Sequence, residues 1–304
     1  MARKKNVLIV SHDSGGAEVV SAWIKNNHAD YQFYYCLMGP ALPIFEKKIG
    51  PLDNIKEDSL NDFFKEKKIN TVFTGTSWED FLELRVIEKA KNFQVKTVTF
   101  LDSWQNHRER FGYPNKNWEK NLPDEIWCGD SYCIDVCLNL NFPKEKLKFV
   151  ENEYFNEMKK LGRNYKIEPS ANSILYLCEP IADHMKKQHG DELYLGYNEF
   201  SAIKNFKKNI LKITEKPNFI TFRSHPSEDI KKYSSFIKEK DWPCEIKISQ
   251  DKNLVKDILS HEYIVGCETM ALVISIMVGK KVISAIPKEG RPCQLPFKEI
   301  QHLL

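Results

Sequence analysis

The chain has 304 residues, of which 42% are hydrophobic and 29% charged, and its formal net charge is +3. This balance is typical of a soluble globular protein and excludes a disordered one, and the length suits two α/β domains that each bury a core. No run approaches the roughly 20 apolar residues that cross a bilayer, and the basic start leads directly into a strand, so we expect a cytoplasmic protein.

The first half of the chain alternates between strand and helix patterns. Residues 6–10 are a continuous apolar run of strand length, and a polar loop after them leads into an amphipathic helix at residues 17–25. This pattern is typical of the opening unit of a Rossmann-like domain. Further strands are predicted at 31–37, 71–74, 97–101 and 125–128, with helices at 59–67 and 79–90. Such alternation predicts a mostly parallel sheet.

The second half repeats the alternation after an aperiodic stretch, residues 162–172, which is predicted to be a linker. Strands are predicted at 173–178, 219–222, 245–248, 263–265 and 281–284, with helices at 199–213 and 270–278. We therefore predict an α/β protein of two doubly wound Rossmann-like domains, residues 1–165 and 170–304, whose loops face a central cleft.

Polar clusters follow two predicted strands of the second half. They contain Arg223, Ser224, His225 and Pro226 on one loop, and Glu268, Thr269 and Met270 on the other. The carboxyl edge of an open parallel sheet is where ligands bind, and a helix that starts there offers backbone amides to a phosphate. These loops predict a nucleotide pocket in the C-terminal domain.

The loop after the first strand is the strongest candidate site in the first half. Asp13 at the strand end can act as a general base, while Gly15 and Gly16 let a ligand approach the backbone closely. The alternative is a helix cap, because Asp and Ser are preferred at that position. His12 is either a ligand contact or a structural histidine.

Two further strand ends of the first half carry candidate acceptor or phosphate contacts. Thr76, Ser77 and Glu79 precede a helix, where capping is the alternative explanation. Asp102 and Trp104 follow an apolar strand, and an indole ring can stack on a sugar. The alternative for this second pair is a structural cluster that packs a long loop.

The eight cysteines are scattered and include no pair of CxxC motifs. Cys133 and Cys137 have helical spacing, but they are not accompanied by a further CxxC or His pair of the kind found in zinc motifs, so we predict reduced, buried thiols and no metal site. The basic runs at residues 3–5 and 65–68 are typical of solvated surface and do not indicate nucleic-acid binding. Contact with an anionic membrane face is the alternative for them.

Together, the two Rossmann-like domains, the His225-Pro226 dipeptide and the Gly-Cys-Glu-Thr-Met segment at 266–270 resemble GT-B glycosyltransferases of bacterial surface polysaccharide synthesis. The pattern is most similar to the HP-motif transferases, which include bacterial sialyltransferases, Kdo transferases and CDP-glycerol glycerophosphotransferases. Segments 74–79 and 101–111 are similar to surface-carbohydrate biosynthesis proteins of the same fold. The acidic-acidic-glycine motif of the bacterial sialyltransferases has no match here.

The resemblance implies an inverting, metal-independent transferase that moves a sugar from a nucleotide-sugar donor to a glycan hydroxyl without a cofactor. It implies that the C-terminal domain holds the nucleotide, that His225 and Pro226 shape its loop, and that Glu179 borders the cleft. Glu268 and Thr269 would contact ribose or phosphate. The N-terminal domain would hold the acceptor and the base, and the last residues would pack back on it.

In this interpretation Asp13 takes the acceptor proton, while His225 and Arg223 stabilise charge on the departing phosphate. Two alternatives stay open. One is a UDP-N-acetylglucosamine 2-epimerase, although the Arg-Pro-Glu signature of that family is absent after the first strand. The other is a non-catalytic nucleotide-sugar-binding protein of polysaccharide assembly. The predicted partners are a nucleotide sugar and a glycan acceptor, with peripheral contact to the membrane or the assembly machinery.

Overall fold

The computed structural model describes residues 4–77 and 80–304. The chain divides into two compact units, Met1–Glu157 and Met158–Leu304. Each unit contains one sheet of six parallel strands. The two doubly wound α/β units predicted from the sequence are thereby confirmed.

The first unit has the strand order β2-β1-β3-β4-β5-β6. Its strands are β1 (Lys5–Ser11), β2 (Tyr31–Leu37), β3 (Thr71–Thr74), β4 (Lys96–Leu101), β5 (Glu125–Cys128) and β6 (Leu147–Phe149). Its helices are α1 (Ser14–Asn27), α2 (Ala41–Ile49), α3 (Leu60–Glu66), α4 (Leu82–Asn92), α5 (Ser131–Asn139) and α6 (Glu153–Asn164), and α6 continues past the unit boundary.

Strand β1 is an interior strand of this sheet, between β2 and β3, and is buried on both faces, which explains its continuous apolar run. Because side chains alternate along a strand, Ile9 packs with Val20 of α1 on one face. Leu8 packs with Val86 of α4 on the other face. Helices on both faces leave the carboxyl edge of the sheet as the place where the loops meet.

The second unit has the strand order β12-β11-β10-β7-β8-β9. Its strands are β7 (Ser170–Leu177), β8 (Phe219–Arg223), β9 (Glu245–Ile248), β10 (His261–Gly266), β11 (Lys281–Ser284) and β12 (Ile300–His302). Its helices are α7 (Ile181–His189), α8 (Glu199–Asn209), α9 (Ser234–Ile237), α10 (Leu254–Ser260) and α11 (Met270–Met277). None of the described helices is both long and apolar enough to cross a membrane.

The connection between the two units is shorter than the sequence predicts. The predicted linker covers residues 162–172, but α6 runs through its first residues and β7 begins before its end. At the end of the chain, β12 pairs with β11. Leu303 is 5% exposed and belongs to the core of the second unit, so burial of this side chain fixes the terminal segment there.

Candidate functional site

The loop between β1 and α1 contains a hydrogen-bonded imidazole and carboxylate. Nδ1 of His12 lies 2.6 Å from Oδ1 of Asp13. Asp13 occupies the N-cap position of α1, but its carboxylate makes no capping hydrogen bond to the described residues of that helix. The side chains are 16% and 21% exposed, so solvent reaches both. A carboxylate that accepts Nδ1–H leaves Nε2 of the imidazole as a proton acceptor.

A buried carboxyl group that the sequence analysis did not single out lies beside this pair. Glu83 of α4 is 3% exposed, its Oε1 accepts the backbone N–H of His12 at 2.8 Å, and its Oε2 accepts the hydroxyl of Ser77. The pKa of Glu83 is raised to about 7, chiefly by burial and to a smaller extent by the negative charge of Asp13, while the hydrogen bonds oppose the shift. This carboxyl therefore changes charge near neutral pH.

The sequence contained a signal for Glu83. The residue shares one helical face with Val86, Ile87 and Ala90, all of which are buried. An acid on an otherwise apolar helix face needs hydrogen-bond partners inside the fold. The partners themselves could not be named from sequence, because one of them is a backbone amide 71 residues away.

A second polar cluster lies at the end of β4. Asp102 is 7% exposed, and its Oδ1 accepts the hydroxyl of Thr76 and, at 3.1 Å, Nη1 of Arg110. The same Nη1 donates to Thr76 Oγ1 at 2.6 Å. The hydroxyl of Thr76 thus donates to the carboxylate of Asp102, as the hydroxyl of Ser77 donates to that of Glu83. Thr76 is 2% exposed and Ser77 is 4% exposed. Glu79, the third predicted contact of that loop, lies outside the described residues.

The two glycines at the start of α1 serve close packing within the unit. A Cβ on Gly15 would lie 2.1 Å from Oδ2 of Asp102, and a Cβ on Gly16 would lie 3.0 Å from the Cα of Gly75. The space beside Gly15 that was expected to receive a ligand is therefore filled by Asp102. The small residues bring the start of α1 against the ends of β3 and β4.

Trp104 is held by residues of its own unit. It is 5% exposed, its ring stacks on Phe155 with centroids 5.9 Å apart, and its indole N–H donates to Asp130. These contacts favour the structural explanation, in which the indole packs the loop after β4. We leave Trp104 out of the candidate site.

In the second unit, Glu179 joins the ends of β7 and β10. Its Oε1 accepts the backbone N–H of Cys267 at 2.6 Å and that of Glu268 at 3.2 Å. Burial raises the pKa of Glu179 to about 8, although these two amides oppose the shift. The carboxyl therefore carries a proton at neutral pH, and it lies on the edge of the sheet where we predicted a nucleotide pocket.

The carboxylate of Glu268, predicted to contact ribose or phosphate, is bonded within the unit. Its Oε1 accepts Nη2 of Arg291, and its Oε2 accepts the backbone N–H of Gln294 at 3.1 Å. Thr269 caps α11, because its hydroxyl oxygen accepts the N–H of Ala271 at 3.3 Å. Met270 is the first residue of that helix.

The guanidinium of Arg223 is bonded to residues of its own unit. Its Nη1 lies 2.8 Å from Oδ2 of Asp257, a side chain that is 8% exposed, and 2.7 Å from the carbonyl of Asp251. A buried carboxylate needs a cationic partner, and Arg223 supplies it. The guanidinium therefore stabilises the loop after β9.

His225 offers a donor at the end of β8. Its Nδ1 accepts the backbone N–H of Ser227 at 3.2 Å, which places the proton of the neutral ring on Nε2. Burial lowers the pKa of His225, and the nearby His184 lowers it further, so the neutral form is favoured. Of the adjacent predicted residues, Ser224 is half-buried and Pro226 is exposed.

One acidic cluster of this unit is balanced by a lysine. Nζ of Lys232 lies 2.7 Å from Asp183 and 2.7 Å from Glu228, and it also contacts Glu199. The ammonium group lies where a metal ion would have to bind, so these carboxylates form an ion-pair network.

No protein-family model matches this sequence, and no curated protein does. Solved structures are similar over 92% of the chain. The UDP-GlcNAc 2-epimerase of Methanocaldococcus jannaschii matches over 83% of its own chain with a TM-score of 0.62 and 11% identity. The enzyme of that name from Neisseria meningitidis, solved bound to UDP-GlcNAc, matches over 82% with a TM-score of 0.60 and 13% identity. MurG of Acinetobacter baumannii matches over 78% with a TM-score of 0.55 and 11% identity. At these identities the likeness establishes the fold, and it confirms the GT-B class expected from the resemblance.

Proposed function

We propose that this protein acts on a nucleotide sugar as an inverting, metal-independent glycosyltransferase that uses a glycan hydroxyl as acceptor. The observation that carries this proposal is the pairing of His12 with Asp13 beside the buried Glu83. An imidazole paired with a carboxylate, placed at the carboxyl edge of a doubly wound sheet, is an arrangement that can take a proton from an acceptor hydroxyl. Contact with a membrane or with polysaccharide assembly machinery stays a prediction.

The base in this proposal is the His12–Asp13 pair, not Asp13 alone. Nε2 of His12 takes the proton from the acceptor hydroxyl, and the acceptor oxygen forms a bond to the anomeric carbon of the donor. The bond between that carbon and the phosphate oxygen breaks, and the nucleotide leaves with the electron pair. Asp13 stabilises the imidazolium that forms and holds the ring in the reactive tautomer.

The second unit binds the donor nucleotide in this proposal. Nε2–H of His225 and the backbone amides at the start of α11 stabilise charge on the leaving phosphate. Glu179 favours the same ligand because a protonated carboxyl does not repel an anion. Ser224 and Pro226 shape the loop, whereas Glu268 would first have to release Arg291 before it could bind a ribose.

A UDP-N-acetylglucosamine 2-epimerase is the second candidate, and the similar solved structures of that name favour it. Such an enzyme also needs acid and base groups, which His12 and Glu83 could provide. The Arg-Pro-Glu signature expected after the first strand is replaced here by Ser11-His12-Asp13. We therefore rank transfer above epimerisation.

One experiment separates these candidates. A thermal-shift screen of the full chain against CMP, CDP, UDP and GDP and their sugars identifies the donor, since a ligand at 100 times its Kd adds about 2.7 kcal/mol of stability. The donor is then incubated in deuterated water with and without glycan acceptors. A transferase releases nucleotide only when acceptor is present, whereas an epimerase exchanges the C2 hydrogen without acceptor. Binding with neither reaction would support the non-catalytic alternative, and no binding would refute the proposal.

A further inference from the structure

Three cysteine thiols meet in the interior of the first unit. Cys128 ends β5, while Cys133 and Cys137 lie one turn apart on α5. Their sulfur atoms lie within 4.8 Å of one another, all three residues are buried, and none forms a disulfide. Three thiols so close together and shielded from solvent form a ready set of ligands for a soft metal ion.

Helix α5 directs two of these thiols toward the third. The chain turns at Gly129 and Asp130 immediately after β5, and the Asp130 carboxylate caps the helix by accepting the N–H of Cys133 at 2.7 Å. Residues four apart share one helix face, so Cys133 and Cys137 both point back toward the end of β5. The cap therefore fixes the geometry of the cluster.

An imidazole lies beside one of these thiols. His107 is fully buried, and its Nδ1 lies 3.5 Å from Sγ of Cys137. Its Nε2 lies 2.7 Å from the carbonyl oxygen of Ser103, so the N–H donated there leaves the lone pair of Nδ1 on the side of Cys137. Zinc-binding histidines commonly donate their second N–H to a carbonyl in this way. A sulfur and a nitrogen bound to one tetrahedral zinc ion are about 3.6 Å apart, given the usual bond lengths.

We propose that Cys128, Cys133, Cys137 and His107 bind one Zn²⁺ ion. Three thiolates and one imidazole are a common ligand set of structural zinc sites, and a site with four protein ligands has no open position for a substrate. The ion therefore takes no part in sugar transfer, and this proposal does not depend on the proposed function.

The ion would fasten a long loop to the sheet. His107 lies in the connection between β4 and β5, which spans residues 102–124 and contains only two short 3-10 turns. The same connection carries Arg110, whose guanidinium contacts Asp102 and Thr76. His107 stands three residues before Arg110 in the chain. A zinc ion bound to His107 would thus also stabilise the position of that arginine. No metal site was predicted from the sequence, since only Cys133 and Cys137 were considered there, while Cys128 belongs to the preceding strand and His107 stands 21 residues before Cys128.

The first test is the metal content of the purified full chain. Protein produced with zinc in the medium and purified under reducing conditions without chelator should contain one zinc per chain by plasma mass spectrometry. Cys133→Ser and His107→Ala should lower this content, whereas His107→Cys should retain it because thiolate is also a zinc ligand. Cys244→Ser removes a half-buried thiol of the second unit and is the matched control.

The second test uses the unmodified chain, so it stands even if a cysteine variant fails to fold. X-ray absorption at the zinc edge should show three sulfur neighbours at about 2.3 Å and one nitrogen at about 2.0–2.1 Å. Cobalt added to the metal-free chain should give thiolate-to-cobalt charge-transfer bands. A chain that contains no zinc and binds neither zinc nor cobalt would overturn the proposal. So would a bound ion with only oxygen and nitrogen neighbours, or full zinc retention by folded Cys133→Ser.

Discussion

The carboxylate of Glu83 accepts the backbone amide of His12 at 2.8 Å, which ties the first turn of α4 to the loop after β1. The oxygen that makes this bond belongs to a group with a pKa of about 7. Protonation of one buried carboxyl is thereby coupled to the position of the His12–Asp13 pair.

Glu83→Gln should reduce the pH dependence of stability. Glu83 has a folded pKa of about 7 against a usual value of 4.5 for a glutamate side chain. Between these values the unfolded state ionises first, so the free energy of unfolding falls as pH rises. The loss amounts to about 3 kcal/mol and is complete above pH 7. Urea unfolding at pH 4.5, 6 and 8 should show the variant gaining stability relative to wild type as pH rises. Glu88→Gln, at an exposed position of the same helix, is the control, and a parallel response of both variants would contradict the prediction.

Asp13→Asn should lower turnover by about 10² to 10⁴ and leave nucleotide affinity nearly unchanged. The amide keeps the size of the side chain but no longer stabilises an imidazolium at His12. Donor consumption with acceptor measures the first quantity, and calorimetry with the nucleotide measures the second. Asp30→Asn, at an exposed position of the same unit, should behave as wild type. Normal turnover by Asp13→Asn would contradict the assignment of the base to the His12–Asp13 pair and would make Glu83 the next candidate for the base.

Gly15→Ala should destabilise the first unit by about 1 to 3 kcal/mol, because the new methyl group would overlap the carboxylate of Asp102. Denaturant unfolding measures the effect. The same substitution in an Asp102→Ala background should cost much less, since the overlap is then relieved. Equal costs in both backgrounds would show that the contact between Gly15 and Asp102 is not responsible.

His225→Ala should weaken nucleotide binding about tenfold or more, equivalent to about 1.4 kcal/mol, by removing the Nε2–H donor. Ser227→Ala is the matched control. It removes the hydroxyl 2.7 Å from His225 Nδ1 but keeps the backbone N–H that sets the tautomer, so affinity should change little. Calorimetry on both variants provides the comparison. Unchanged affinity in His225→Ala would remove the main support for the nucleotide loop.

Much of the secondary structure could be predicted because buried parallel strands are apolar runs that end at polar turns. The predicted bounds of β2, β3, β5, β9 and β11 agree with the structure. Strands β6 and β12 have three residues each, too few to show an alternation of apolar and polar side chains. They form by backbone pairing with the neighbouring strands β5 and β11.

The candidate site could be predicted less completely, because sequence locates a strand end but not the partner of a side chain. Arg223 was correctly placed at the end of a strand, yet its guanidinium pairs with Asp257, 34 residues away. Glu83 and Arg110 were missed since their roles depend on contacts with distant loops. By contrast, Thr269 caps α11 through a contact with Ala271, two residues further on, and a local contact of this kind can be recognised from sequence.

The strand order of the second sheet has a consequence for synthesis on the ribosome. In the first sheet β3 joins β1, and each later strand from β4 to β6 joins the strand made just before it, so that sheet can grow as the chain emerges. In the second sheet β7 pairs with β10. Ile174 can therefore pair with Tyr263 only after 89 further residues have been added to the chain. Until then one edge of an apolar strand stays without its neighbour, a state that favours aggregation. Chaperone dependence during translation should therefore be greatest while residues 178–260 are being added.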